Sequence, residues 1–122
     1  MYNPFAPDTG KQGERLAAGW YKKQGWQIVA RNYRTRQGEI DLVAAKGDVL
    51  AFVEVKTRTG NMLSRPAEAV DRRKQKRIIA AAGCFLAAYD GPQQQIRFDV
   101  LEVYPEKRGE ERFFCIEQAF EC

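Results

Sequence analysis

Asp41, Glu54 and Lys56 are the residues of this sequence whose types and spacing could do chemistry. They lie in two alternating segments, Glu39 to Lys46 and Val49 to Arg58, separated by Gly47-Asp48, a two-residue loop of the kind that fixes the register of a β-hairpin. With those two residues as the loop, Lys46 pairs with Val49. Counting outward then sets Ala45 opposite Leu50, Val43 opposite Phe52 and Asp41 opposite Glu54. Two carboxylates so placed lie about 5 Å apart and repel. Residues two apart on a strand share a face, so Lys56 joins them, while Ile40, Leu42, Ala44, Ala51, Val53 and Val55 form the opposite face.

Three circumstances would offset that repulsion. At an exposed edge, water would screen both charges; a proton could be shared between the two carboxyls; or a divalent cation could turn repulsion into coordination. Magnesium prefers carboxylate oxygens, keeps several waters and suits phosphate chemistry. Lys56 favours the third, because an ammonium beside a metal-binding carboxylate can hold an attacking water. The bland alternative for Lys56 is a salt bridge to Glu54 or Asp41.

The sequence contains no histidine, which excludes a Ser-His-Asp triad, a Cys-His pair and a His-Glu-x-x-His zinc site. Cys84, Cys115 and Cys122 are odd in number and far apart, so neither a disulfide framework nor a zinc knuckle is expected. A chain of 122 residues is one domain, 1–122, with 44% hydrophobic and 30% charged residues. No apolar run approaches the roughly 20 residues of a membrane helix. Met1 to Asp8 holds two prolines and no basic-then-apolar signal, so no membrane association and a cytoplasmic location are expected.

The elements that must position the acids follow from periodicity and turn signals. Thr9 to Gln12 fits a capping box and Gly25 a C-cap, which predicts a first helix from about Gly10 to Gln24 with Glu14 on the flank of its buried stripe. A strand follows over Trp26 to Arg34, then the hairpin. Pro66 reads as the start of a second helix reaching Tyr89, ahead of strands Ile96 to Tyr104 and Arg112 to Glu117. The order is α-β-β-β-α-β-β: an α/β domain whose long helix crosses between parallel strands, with a sheet covered on both sides.

Net charge is +4 but uneven. Residues 99–122 carry −4, leaving +8 for residues 1–98, a balance suited to a polyanion and also to simple solubility. Arg72, Arg73, Lys74, Lys76 and Arg77 cluster on the second helix, and Lys74 falls inside the apolar stripe of Ala67, Val70, Ile78, Ala81, Phe85 and Tyr89. Either its stem packs while its ammonium escapes to water, or it points toward the carboxylates and meets a phosphate. Arg31, Arg34, Arg36, Arg58 and Arg65 are further phosphate candidates, and Tyr33 could stack on an unpaired base.

Gly38-Glu39-Ile40-Asp41-Leu42-Val43, followed by Phe52-Val53-Glu54-Val55-Lys56-Thr57-Arg58, resembles the core of the PD-(D/E)xK nuclease superfamily. More closely it resembles the YraN-type family of predicted endonucleases, similar to archaeal Holliday-junction resolvases. The resemblance runs from Gly13-Glu14-Arg15 through Lys74-Gln75 to Arg97-Phe98-Asp99-Val100, with Ile40 where the superfamily's name has proline. It implies a restriction-endonuclease-like core with a central mixed sheet flanked by helices on both faces. It also implies Mg²⁺ or Mn²⁺ held by Asp41, Glu54 and the Val55 backbone carbonyl, with Glu14 completing that site or its surroundings. Lys56 would orient the water, making Glu14, Asp41, Glu54 and Lys56 the catalytic set. Arg34, Arg36, Arg58, Lys74, Gln75 and Arg77 would contact nucleic acid. The activity implied is hydrolysis of DNA, at branched or nicked structures, leaving a 5′-phosphate, with a homodimer as one form. The rival readings are a nucleic-acid-binding module with a vestigial site, and an assembly protein using Phe113, Phe114, Ile116 and Phe120 as an exposed edge.

Overall fold

Helix α1 (Thr9–Lys23) stops where glycine allows the chain to turn left-handed: Gly25 has φ +91°. The Trp26 N–H returns to the Tyr21 carbonyl and the Gly25 N–H to Lys22, which satisfies carbonyls the helix leaves open. The computed structural model describes residues 9–58, 70–105 and 108–122. After α1 come β1 (Gln27–Arg34), β2 (Glu39–Lys46) and β3 (Val49–Thr57), then α2 (Arg72–Ala88), β4 (Gln95–Tyr104) and β5 (Arg112–Phe120). The five strands form one sheet in the order β1-β2-β3-β4-β5, antiparallel except for the parallel pair β3–β4. The expected α/β order and the crossover between parallel strands are both present.

Alternation along β2 and β3 sorts the apolar side chains into two cores. Leu42, Ala44, Ala51 and Val53, with Leu101 and Val103 of β4, pack on Ala17, Ala18 and Tyr21 of α1. Val43, Leu50 and Phe52, with Phe98 and Val100, pack on Ile78, Ala81, Ala82 and Phe85 of α2. Coverage is unequal. Helix α1 touches β1 to β4, whereas α2 lies mainly over β1 and β2, so the helices flank the sheet only in part. Beyond α2, Phe120 stacks on Phe98 at 4.9 Å and closes that side of the core.

Helix α2 begins later than Pro66 predicts. Asp71 is extended (φ −67°, ψ 163°) and its Oδ1 accepts the Lys74 N–H at 2.9 Å, an N-cap that sets the start at Arg72. Arg65, Pro66 and Ala67 lie outside the described residues. Strand β5 runs three residues past the expected end because Gln118 takes φ +47°, and its Oε1 accepts the Phe98 N–H at 3.0 Å. Phe113 stacks on Trp20, Ile116 packs partly inward and Phe120 is buried, leaving Phe114, 43% exposed, as the open aromatic of that strand. The apolar edge expected for assembly therefore faces mostly inward. Among the described residues no helix is long and apolar enough to cross a membrane.

Two glycines bring the helices close to one end of the sheet. A Cβ at Gly13 of α1 would clash with the Thr57 hydroxyl at the end of β3, and one at Gly38 would clash with the Arg77 carbonyl of α2. Gly38→Ala is therefore expected to lower stability by about 1–3 kcal/mol. Gly83→Ala, on the same helix with open space around it, is expected to raise it by about 0.5–1 kcal/mol. Urea midpoints of the two variants check both signs.

Candidate functional site

The hairpin register is the one its loop dictates, from Lys46–Val49 through Ala45–Leu50 and Val43–Phe52 to Leu42–Val53. The ladder ends there, and Asp41 and Glu54 come next. Across the β1–β2 ladder, Asn32 at φ +51° falls between the pairs Arg31–Leu42 and Tyr33–Ile40, facing Asp41. This kink breaks the alternation: Ile40 packs in the α2 core although Leu42 packs in the α1 core, which corrects the expectation that they share a face. Asp41 sits at the break, and its Oδ2 accepts the Val55 N–H at 2.8 Å. In an antiparallel pair the N–H and C=O of one residue face the same neighbour, so the Val55 carbonyl is turned toward the same gap.

Burial, followed by the Glu54 charge, pushes the Asp41 carboxyl up to about 7, with the Val55 N–H and the Lys74 charge pulling it down. Glu54 is only 5% exposed, and its Oε1 lies 2.8 Å from the Lys74 ammonium. That hydrogen bond to Glu54 is the main reason the Lys74 pKa is raised. The lysine that sits in the apolar stripe of α2 thus points at the acids and meets Glu54 itself. Lys56 is half-buried on the Glu54 face, and among the described residues no hydrogen bond or ion pair ties it to Asp41 or Glu54. Glu14 is half-buried on α1, and its charge adds a smaller upward push on Asp41.

A cavity of about 230 Å³ lies beside Lys74, lined also by Glu39, Asp71, Arg73, Arg77 and Ile78. Glu39 pairs with Arg34 at 3.4 Å, both well exposed. Arg36 is exposed on the turn before β2, and Arg77 donates to the Gln37 carbonyl at 3.3 Å. The Gln75 amide donates to the Val70 carbonyl at 2.7 Å, bracing the chain ahead of α2. Arg58 lies 3.3 Å from Glu102, which is 2% exposed and also accepts the Tyr104 hydroxyl. Tyr33 is half-buried and packs edge-on against Phe85 at 5.3 Å.

Sequence reasoning missed a second polar centre on the α1 face. Asp99, fully buried, accepts the Tyr21 hydroxyl at 2.8 Å, Arg97 Nε at 2.8 Å and the Gln118 N–H at 3.2 Å. Arg97 in turn lies over the Trp26 ring at 5.0 Å. Burial raises the Tyr21 pKa, and burial first and Asp99 second push the Cys115 thiol up to about 11, so neither ionises near neutrality. The signal was present in Asp99 and Glu102, two acids in a strand otherwise filled by Phe98, Val100, Leu101 and Val103.

The donor set can be tested against a metal ion. Among the described residues no three His, Cys, Asp or Glu side chains form a group that could hold one, and Glu14 stands as a charged neighbour of Asp41. Magnesium needs no such group: it binds through one or two carboxylates and keeps its waters. Asp41, Glu54 and a carbonyl in their gap fit that ion.

The fold and site define an α/β protein with a mixed five-stranded sheet and two mutually repelling carboxylates at one end, Glu54 buried and Asp41 half-buried. Residues 13–103 match the model of the Uncharacterised protein family UPF0102. A UPF0102 protein of Symbiobacterium thermophilum is 46% identical over 112 residues, spanning 92% of this chain and 95% of that protein. A UPF0102 protein of Nocardia farcinica is 53% identical over 94 residues, 77% of this chain and 74% of its own length. One from Caldanaerobacter subterraneus is 42% identical over 114 residues, 92% and 93% of the two chains. The chain belongs to the UPF0102 family, the YraN-type family that its motifs resemble.

A raised folded-state pKa means that the metal-free protein holds the Asp41 proton more tightly than the unfolded chain does. The stability this proton contributes is complete below about pH 4 and is lost as pH rises through about 7. Asn at 41 keeps an oxygen for the Val55 N–H and carries no charge. Asp41→Asn is therefore expected to match the wild type near pH 4 and to exceed it by roughly 1–3 kcal/mol at pH 8, after allowance for partial exposure, in metal-free denaturation curves.

Proposed function

We propose that this protein is a metal-dependent endonuclease that hydrolyses DNA phosphodiester bonds, with a restriction-endonuclease-like core. The observation that carries this reading is the pair Asp41 and Glu54, set beyond the last rung of the β2–β3 ladder under a helix whose first turns carry Arg72, Arg73, Lys74, Lys76 and Arg77. Asp41, Glu54 and the Val55 carbonyl would hold Mg²⁺ or Mn²⁺, with Glu14 completing that site or its surroundings. Such an ion, when bound, lowers the pKa of its water and offsets charge growing on the phosphate.

The remaining roles belong to the chain itself. Lys56, untied to either acid, orients the attacking water on the face it shares with Glu54. Arg36, Arg73 and Arg77 hold phosphates on either side of the scissile one. Gln75 and Arg58 act one step back, since the amide of Gln75 braces Val70 and the guanidinium of Arg58 rests on Glu102. Water oxygen bonds to phosphorus and the bond from phosphorus to O3′ breaks. The products are a 3′-hydroxyl and a 5′-phosphate. Similarity to Holliday-junction resolvases directs the choice of substrate toward branched or nicked DNA and admits a homodimer.

Duplex, nicked, flapped and four-way DNA incubated with protein and Mg²⁺ or Mn²⁺ provide the test. Cleavage of at least one substrate is expected, with Glu54→Ala and Lys56→Ala each slowing it by about 100-fold or more while affinity for DNA persists. Salt-dependent binding with no metal-dependent cleavage of any of the four would replace the enzyme by a nucleic-acid-binding module. Binding that is weak at low salt and insensitive to salt would remove both, because phosphate contacts release counterions.

A further inference from the structure

Lys74 occupies a place that a metal site does not call for. Its ammonium is 2.8 Å from Glu54 Oε1, one of the oxygens that the reading above assigns to a divalent ion. The backbone beneath it is fixed: Asp71 caps its N–H and Gln75 anchors to Val70. The side chain is not confined, being 44% exposed, and it also lines the cavity at the start of α2. The two acids lining that cavity have partners, Asp71 in the helix cap and Glu39 in its pair with Arg34, whereas Arg73 and Arg77 carry their charge toward it.

We infer that Lys74 is an internal counter-ion that a divalent cation displaces from Glu54, and that the displaced ammonium moves into the adjoining cavity to meet a phosphate of the bound nucleic acid. The inference rests on the metal-binding reading above. Without metal, the ammonium balances the buried Glu54 charge, since an unpaired carboxylate there would be costly. With metal, the ion supplies that balance and the lysine is released. Metal and phosphate binding then reinforce each other, because each favours the same position of one side chain.

Titration calorimetry with Mn²⁺ and no nucleic acid, on wild type, Lys74→Met, Lys74→Arg and Lys76→Met, is the test. Removing the competing ammonium is expected to tighten Mn²⁺ binding by about tenfold in Lys74→Met. Lys74→Arg should stay within about threefold of wild type, and Lys76→Met, which removes one charge from the same helix without touching Glu54, within about twofold. Equal or weaker binding by Lys74→Met overturns the displacement while leaving the metal site standing, and so does equal tightening by Lys76→Met, which would reflect general charge. Wild type that binds no Mn²⁺ overturns the site itself. Should Lys74→Met fail to fold, the wild-type protein decides: adding Ca²⁺ should steepen the slope of log affinity for DNA against log salt by about one phosphate contact. An unchanged slope overturns the inference.

Discussion

The pairing of two strands through a two-residue turn leaves Asp41 and Glu54 as neighbours, and much else at this end of the molecule answers their repulsion. Burial and the Glu54 charge together outweigh the single hydrogen bond that Val55 returns to Asp41. The fold responds in two ways. Asp41 tends to keep its proton, with its carboxyl pushed up to about 7 by burial and by Glu54, and Glu54 draws an ammonium from α2. Neither response is a packing necessity, because apolar residues at both positions would extend the ladder at lower cost. A chain that keeps the acids carries a burden that an active site would explain.

Holding that burden in place requires both helices to approach one end of the sheet. Gly13 lets α1 close over Thr57 from one face, and Gly38 lets α2 close over the turn before β2 from the other. The cap at Asp71 then sets where α2 begins and so where Lys74 stands relative to Glu54. On the α1 face of the sheet, the Tyr21–Asp99–Arg97 cluster joins α1 to β4, and Gln118 ties β5 to the same acid. Among the described residues no buried side-chain nitrogen or oxygen lacks a hydrogen-bond partner, so this second centre is a satisfied network.

Much of the frame was legible in the residues. Gly47-Asp48 gave the hairpin and its register, alternation gave the two faces, and Gly25 gave the end of α1. What escaped was what backbone kinks do to alternation. Asn32 is of a type that tolerates a positive φ, but strict alternation takes no account of it, so Ile40 was placed on the wrong face; nothing in Gln118 announces the turn that lets β5 continue to Phe120. The start of α2 was misread because proline at 66 is a stronger local signal than an aspartate whose capping depends on a conformation the chain reaches only when folded. For the site, the acids and Lys74 were visible as charges in apolar runs. The Lys74–Glu54 pair was not, because it depends on how far α2 slides along the sheet.

The linear charge map also misleads about the molecule's field. Acids crowd the last part of the sequence, yet Asp99 and Glu117 lie against Arg97, and Glu102 is buried against Arg58. Arginines of the cationic stretch are thus spent on the anionic one, and the two halves partly cancel within the fold. The electric dipole is accordingly smaller than the primary structure implies. Among the described residues the densest run of positive charge lies in the opening turns of α2, where Arg72, Arg73, Lys74, Lys76 and Arg77 fall close together and line the neighbouring cavities, so the molecule's positive field concentrates at that mouth instead of spreading along the whole basic stretch.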